Sequence, residues 1–483
     1  MRVLFLILES NAYPRYGIMC LAAALKAQKH DVRLANAGRL GPSGLARCME
    51  EFKPQMVGYS AMSGEHLKCL ELNLALKREF TFLSVFGGPH ATFAPHELIN
   101  APGCDAVCVG EGDVALPEFC RRFDSGEAYW ETPNFLVRHG DAVVSNPVCA
   151  LVGDLNSLPM PDHDLMYQAE PDLARDGTKV FFSSRGCCYD CAYCFNHAFN
   201  ALYSDRGPIV RWRSPENIIA EIEHVAAAYP LDSVFIHDDT FLLKPKEWFG
   251  HFGTLYKERV GRPFSCLVRP NLVTDEIIGT LRDAGLRSVW MGVECGDEEV
   301  ANGLLRRGMS NADILKAAEI IKRHRVLLVT QNLIGLPVQE SYQTDLKTLD
   351  LNIQMGPEFA WASILYPYPG TRIQAFAVEH GFLPASGVPL LETNKRSSVL
   401  TFSSPMEKRR VENLHKLFGL IVRAPWLRRH CDFLCSLPTN PFYRMIYYLM
   451  CGIVFKTRLF PFKSFPREVV KFSLLFIRMV RKT

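Results

Sequence analysis

The sequence is short of several things that would place it quickly. No apolar run reaches the roughly 18 to 20 residues of a membrane-crossing helix. The opening MRVLFLILES breaks at Glu9 with no small-residue cleavage site behind it, so a buried first strand is expected there and not a removable leader. Charge of one sign is scarce too. The chain has 54 Lys and Arg against 51 Asp and Glu, a formal net charge of +3, which gives no global electrostatic case for a nucleic-acid partner. No GxGxxG follows the first strand, which argues against a dinucleotide. Cysteine is not scarce, at sixteen residues. Without a leader these are expected in a reducing cytoplasm, where scattered ones such as Cys20, Cys48 and Cys120 serve as small buried hydrophobes. A disulfide framework is thereby set aside.

What is present is an ordinary folded chain of 483 residues, 48% hydrophobic and 22% charged, long enough for about three domains. Its first 130 or so residues alternate apolar strands (RVLFLIL, QMVGYSA, SVFGGPH, DAVCVGEGD) with amphipathic helices such as GIMCLAAALKAQKH. That rhythm predicts a doubly wound α/β domain with its ligand at the carboxyl ends of the strands. Those ends are rich in small and turn-forming residues: Pro14 and Gly17, Ser60 to Gly64, Gly87-Gly88-Pro89-His90, and Gly110-Glu111-Gly112. One glycine pair merely turns the chain. Several such loops on one edge suggest a flat surface for a broad ligand, since glycine lets backbone approach closely.

The stretches YPRYGIMCLAAAL, GGPHATFAP and VGEGD together resemble the cobalamin-binding domain that precedes many radical S-adenosylmethionine (SAM) enzymes, over residues 1–135. The resemblance implies a Rossmann-like domain holding cobalamin through Ser60, Gly87, Gly88, His90, Gly110, Glu111 and Gly112. The DxHxxG motif by which other cobalamin proteins give a histidine to cobalt is missing, as it usually is in these radical SAM relatives. His90 is then either a cobalt ligand or a loop histidine bonded to the backbone.

In SSRGCCYDCAYCFNH, residues 183–197, four cysteines fall within eight positions. A structural zinc site wants four ligands, usually two separated pairs, and no CxxC occurs outside this cluster. Three thiolates on a cube of iron leave one iron open to a small molecule. Cys187, Cys191 and Cys194, with Tyr193 before the last, resemble the CxxxCxxC signature of the radical SAM superfamily, in which SAM chelates the open iron of a 4Fe–4S cluster. Cys188 stands where that family commonly writes proline and is expected not to be a ligand.

Strand–helix pairs continue after the cluster: TKVFFSSRG, LDSVFIHDD, FSCLVRP, RSVWMGVECG, LLVTQNLIGLP and FAWASILYPYPGT. Six such units match the partial (β/α)6 barrel of the superfamily, whose chemistry sits at the carboxyl ends of the strands. The resemblance implies SAM contacts from Asp238-Asp239-Thr240, from Arg269 and from Glu294. It implies an adenine-facing backbone at Gly335, although the family's glycine just before that stretch is Gln331 here. Two plainer readings stand beside these: the aspartates as a helix N-cap, and Arg269 with Glu294 as a structural ion pair. Cys295 is expected to fill space.

The resemblance implies an enzyme in which an electron from the cluster splits SAM to a 5′-deoxyadenosyl radical and cobalamin carries a methyl group. Methyl transfer to an unactivated carbon, or to phosphorus, is the first expectation. A cobalamin-dependent radical cyclisation or rearrangement, as on porphyrin-like substrates, is the second. Either needs a small, possibly apolar substrate and a low-potential donor such as flavodoxin or ferredoxin. A zinc-stabilised binding module would need His197 as fourth ligand, and a simple electron carrier a fourth cysteine. The expected organisation is a cobalamin domain at 1–135, a linker at 136–172, a radical SAM barrel at 173–385 and a helical domain at 386–483. In the last, eight basic residues face one acidic residue, Glu468, between Lys456 and Lys482, among phenylalanines. A helical cap with a solvated basic face is expected there, with at most peripheral membrane contact.

Overall fold

The computed structural model describes residues 1–9, 14–384, 397–454 and 459. The basic, phenylalanine-rich stretch 456–482 lies outside the described residues, Leu459 apart.

The first sheet holds β1 (Arg2–Ile7), β2 (Asp31–Asn36), β3 (Met56–Ser60), β4 (Leu83–Gly87), β5 (Ala106–Cys108), β6 (Phe135–His139) and β7 (Ala142–Ser145), in the order β2-β1-β3-β4-β5-β6-β7. The first five run parallel, and β6 and β7 add antiparallel edge strands. Residues on β1 explain why it reads as one apolar run. Val3, Phe5 and Ile7 enter the core on one face, and Leu4 and Leu6 the core on the other. A parallel strand covered on both sides has no polar face to alternate with. β2, DVRLAN, lies at the sheet's edge with three of its six residues buried and escaped the hydrophobic pattern.

Residues 136–172, expected as a linker, hold most of the β6–β7 hairpin and the helix His163–Ala169. Buried His163 on that helix meets Glu221 of the following unit at 2.6 Å. The segment therefore completes one sheet and braces the next.

The second main sheet contains β8 (Thr178–Phe181), β11 (Ser233–Ile236), β12 (Phe264–Val268), β13 (Leu286–Glu294), β14 (Leu327–Ile334) and β15 (Phe359–Ile364), all parallel, in the order β15-β14-β13-β12-β11-β8. β8 and β15 do not pair, so the sheet is an open partial barrel. A two-stranded ribbon of β9 (Ser184–Arg185) and β10 (Arg211–Trp212) stands beside it. Helix Pro405–Arg423, capped by Ser404, packs Val411, Leu414, Phe418 and Ile421 with Ala360, Ala362 and Ile364 of β15 in one core. The helical tail thus continues the barrel's own core. Among the described residues no helix is long and apolar enough to cross a membrane.

Candidate active site

Two cavities lie at carboxyl strand ends, one in each sheet. The first, about 360 Å³, sits where the strand order of the first sheet reverses, between β1 and β3. This is the expected ligand position for a sheet of this order. Ser60, Gly87, Gly88, Gly110, Glu111 and Gly112 all line it, joined by Tyr16, Asp113, Phe182 and Arg185.

The glycines have separate reasons. Gly88 has φ +95°, and a Cβ there would meet Ala61 backbone at 3.1 Å. At Gly110, φ +79°, a Cβ would fall 2.0 Å from the Tyr203 hydroxyl. Glu111 lines the cavity, yet its carboxylate takes two bonds from Arg211, at 2.6 and 2.9 Å. His90 is not among the lining residues. It is buried, its ring stacks on His66 with centroids 3.7 Å apart, and its Nδ1 lies 3.1 Å from Ser63 Oγ.

The second cavity, about 170 Å³, is lined by Cys187, Cys191, Cys194, Asp239, Thr240, Arg269 and Glu294, with Tyr189, Tyr193, Asn196, Gln331 and Arg307. The turn Gly186 (φ +83°) starts the cysteine loop, since a Cβ there would strike the Ile209 carbonyl at 2.1 Å. Three cysteine sulfurs converge on one cavity whose lining contains no fourth cysteine and no histidine. Cys188 is exposed and outside it. His197 accepts the Arg372 amide on Nε2, 3.2 Å, and so does not complete a zinc set. The donors suit a three-thiolate cluster with one open metal position.

The charges around the thiols agree. Burial pushes the Cys194 thiol up to about 12, so ionising it calls for cationic neighbours. Arg269 and Arg307, both buried, bring Nη1 to 3.5 and 3.6 Å of Cys191 Sγ. Arg269 also stacks on Tyr189, 3.7 Å from its centroid, and Arg307 donates to the Tyr193 hydroxyl at 3.0 Å. Each keeps an Nε with no hydrogen-bond partner among the described residues. Buried guanidinium donors left over in a cavity are a place for an anionic group. Glu294 does not close an ion pair with Arg269; its carboxyl is raised by burial, against the pull of Arg307. Its φ of +70°, at a register shift after Gly292, is backbone strain of the kind held at functional sites.

Two expected contacts lie behind this cavity. Asp238 is buried and accepts from Ser183 N and Oγ, both 2.6 Å, from Ser184 N and from Lys244 Nζ at 2.8 Å. It caps no helix; it anchors the strand end that delivers the cysteine loop. Gly335, φ +69°, gives its amide to Asp345, at 3.0 and 3.1 Å, and Gln331 is the β14 residue that reaches the cavity. Cys295 is buried with Leu305, Leu336 and Ile373. Arg307 was not legible beforehand, because nothing in GLLRRGMS distinguishes it from a surface arginine.

Comparison with known proteins gives two family matches: the radical SAM superfamily over residues 181–346 and the B12 binding domain over residues 9–120. An uncharacterized methyltransferase, PH0819, of Pyrococcus horikoshii is 24% identical over 379 residues, covering 77% of this chain and 80% of the relative. Among solved structures, the cobalamin-dependent SAM radical enzyme OxsB, with aqua-cobalamin and SAM bound, superposes with TM-score 0.70 at 14% identity, over 99% of this chain and 75% of that one. The radical SAM methyltransferase TsrM of Kitasatospora setae, with cobalamin and a [4Fe-4S] cluster bound, gives 0.63 at 17% identity, over 80% and 77%.

Proposed function

The chain belongs to the cobalamin-binding radical SAM enzymes, and from that membership we propose a methyltransferase acting on an unactivated carbon, or on phosphorus, of a small apolar molecule. Its cofactors are a 4Fe–4S cluster, SAM and cobalamin. When bound, these supply a reducing electron, a hydrogen-abstracting radical and a transferable methyl group.

The observation that carries the reading is the join between the two cavities. Arg185 lines the first and Cys187 lines the second, and two residues of chain span at most about 7 Å. The two cavities are therefore neighbours at this point, which supports a methyl carrier in one and a radical source in the other serving one substrate. Cys187, Cys191 and Cys194 hold the cluster. Asp239, Thr240, Arg269 and Glu294 orient SAM, with Arg307 and Gln331 beside them. Ser60, Gly87, Gly88, Gly110, Glu111 and Gly112 shape the cobalamin surface. Asp238 and Gly335 act from behind by fixing backbone, and Leu267 and Val268, which line the second cavity, help exclude water. A low-potential flavodoxin or ferredoxin and a cytoplasmic setting belong to the same reading.

The test is anaerobic turnover of protein loaded with iron, sulfide and cobalamin. S-adenosylhomocysteine forming alongside 5′-deoxyadenosine, and only with cobalamin present, is the expected result. 5′-Deoxyadenosine alone, unaffected by cobalamin, would overturn it.

A further inference from the structure

Behind the first cavity, His66, His90 and Glu97 gather from three elements. His66 opens the helix His66–Lys77 after β3, His90 lies in the short helix Pro89–Phe93 after β4, and Glu97 lies in Pro95–Ile99. Both histidines are buried, while Glu97 is about half exposed and gives an ion a route in from solvent. One ligand atom from each residue lies within 4.8 Å of the other two. We propose that these three side chains bind one divalent transition-metal ion, with zinc as its representative, which ties the β3 and β4 loops together beneath the cobalamin surface.

The two histidine–carboxylate distances match those on such an ion, and the stacked rings of His66 and His90, centroids 3.7 Å apart, must splay to admit it. Ligand atoms on a tetrahedral zinc with bonds of about 2.0–2.1 Å stand about 3.3 Å apart. His66 Nε2 is 3.0 Å from one Glu97 oxygen and His90 Nε2 is 3.4 Å from the other. Two imidazoles and a carboxylate are a borderline-soft donor set suited to zinc and its neighbours, not to magnesium or calcium. Ser63 Oγ sits 3.1 Å from His90 Nδ1, the outer contact that fixes a ligating imidazole's tautomer and orientation.

Hydrogen bonding alone leaves the cluster incomplete. His90 Nε2 meets only a Glu97 oxygen, at 3.4 Å, and His66 Nδ1 has no hydrogen-bond partner among the described residues; a buried unpaired polar atom is costly. An ion between the imidazoles and Glu97 would take up His90 Nε2. The ion's place in the fold is structural. Gly87 and Gly88, which line the cavity, run directly into Pro89 and His90.

The experiment is zinc titration of holoenzyme whose cluster and cobalamin are at full complement, so that the cluster thiols are already occupied. About one zinc per chain is expected, with an X-ray absorption first shell of nitrogen and oxygen only. His66→Gln and His90→Gln should each weaken zinc binding at least about tenfold with iron content unchanged. A first shell containing sulfur, near 2.3 Å, would overturn the proposal, as would no stoichiometric zinc. So would zinc binding in a His66→Gln/His90→Gln double variant equal to that of the parent. The absorption measurement on the unmutated protein stands even where a variant folds poorly.

Discussion

Arg211 of the β9–β10 ribbon and Glu111 of the loop after β5 form a two-bond ion pair, 2.6 and 2.9 Å, with the arginine side chain 1% and the glutamate 17% exposed. Arg185, from the strand that pairs with Arg211's, makes the matching clamp on Asp113 at 2.8 and 2.9 Å. The loop Gly110–Asp113, which lines the first cavity, is therefore held by the barrel's own ribbon.

Arg211→Met removes both short bonds to partly buried Glu111 and leaves it the longer Arg185 contact at 3.5 Å; losing hydrogen bonds to a charged group costs about 2 kcal/mol. Cobalamin titration should show affinity weakened at least tenfold while iron per chain stays the same. Unchanged cobalamin affinity would mean that the loop is not part of the cobalamin surface.

The four cysteines of the loop separate cleanly by position. Cys187, Cys191 and Cys194 line the cavity and Cys188 is exposed outside it. Cys187→Ala, Cys191→Ala and Cys194→Ala should each lose the reconstituted cluster, read as iron and sulfide per chain and as its visible absorption. Cys188→Ala should keep both. Loss of iron in Cys188→Ala would reassign the ligand set.

Legibility in the sequence followed the range of the forces involved. Barrel strands such as β11 and β12 were readable because burial on both faces makes each a local apolar run, and the thiol spacing because cluster geometry is local. The edge strand β2 and the β6–β7 hairpin were not, since their pairing depends on a sheet that forms elsewhere. Arg307, Arg211 and Arg185 gain their meaning only when distant segments meet. Glu111 and His90 stood in the right loops, but which way each side chain turns is a tertiary matter: one goes to Arg211, the other to His66.

Gly110 is expected to tolerate no side chain. Its positive φ costs a non-glycine residue about 1–2 kcal/mol, and a Cβ would overlap the Tyr203 hydroxyl at 2.0 Å. That oxygen also accepts the Glu111 amide at 2.8 Å, so it cannot move freely. Gly110→Ala should therefore lose about 3 kcal/mol by denaturant unfolding. Gly110→Ala/Tyr203→Leu should regain the steric part but not the amide bond. If the single variant matches the parent, the loop is looser than this contact implies.

Asp345 gives a pH signature with a definite sign. It is buried in helix Ser341–Met355, and burial raises its carboxyl well above the ordinary range. The two contacts to the Gly335 amide oppose that shift, and Glu407 adds to it. A raised value means that the folded chain keeps a proton which the unfolded chain releases above about pH 3.9. Its stabilising contribution is then complete below that pH and is lost as pH rises toward the folded value, at about 1.4 kcal/mol per unit. Asp345→Asn keeps an oxygen for the Gly335 amide and has no proton to lose. Urea midpoints taken upward from about pH 4 should show the parent losing stability relative to Asp345→Asn until the pH passes the folded value. Parallel profiles would mean that the carboxylate is ionised in the fold, with the Gly335 amide outweighing burial.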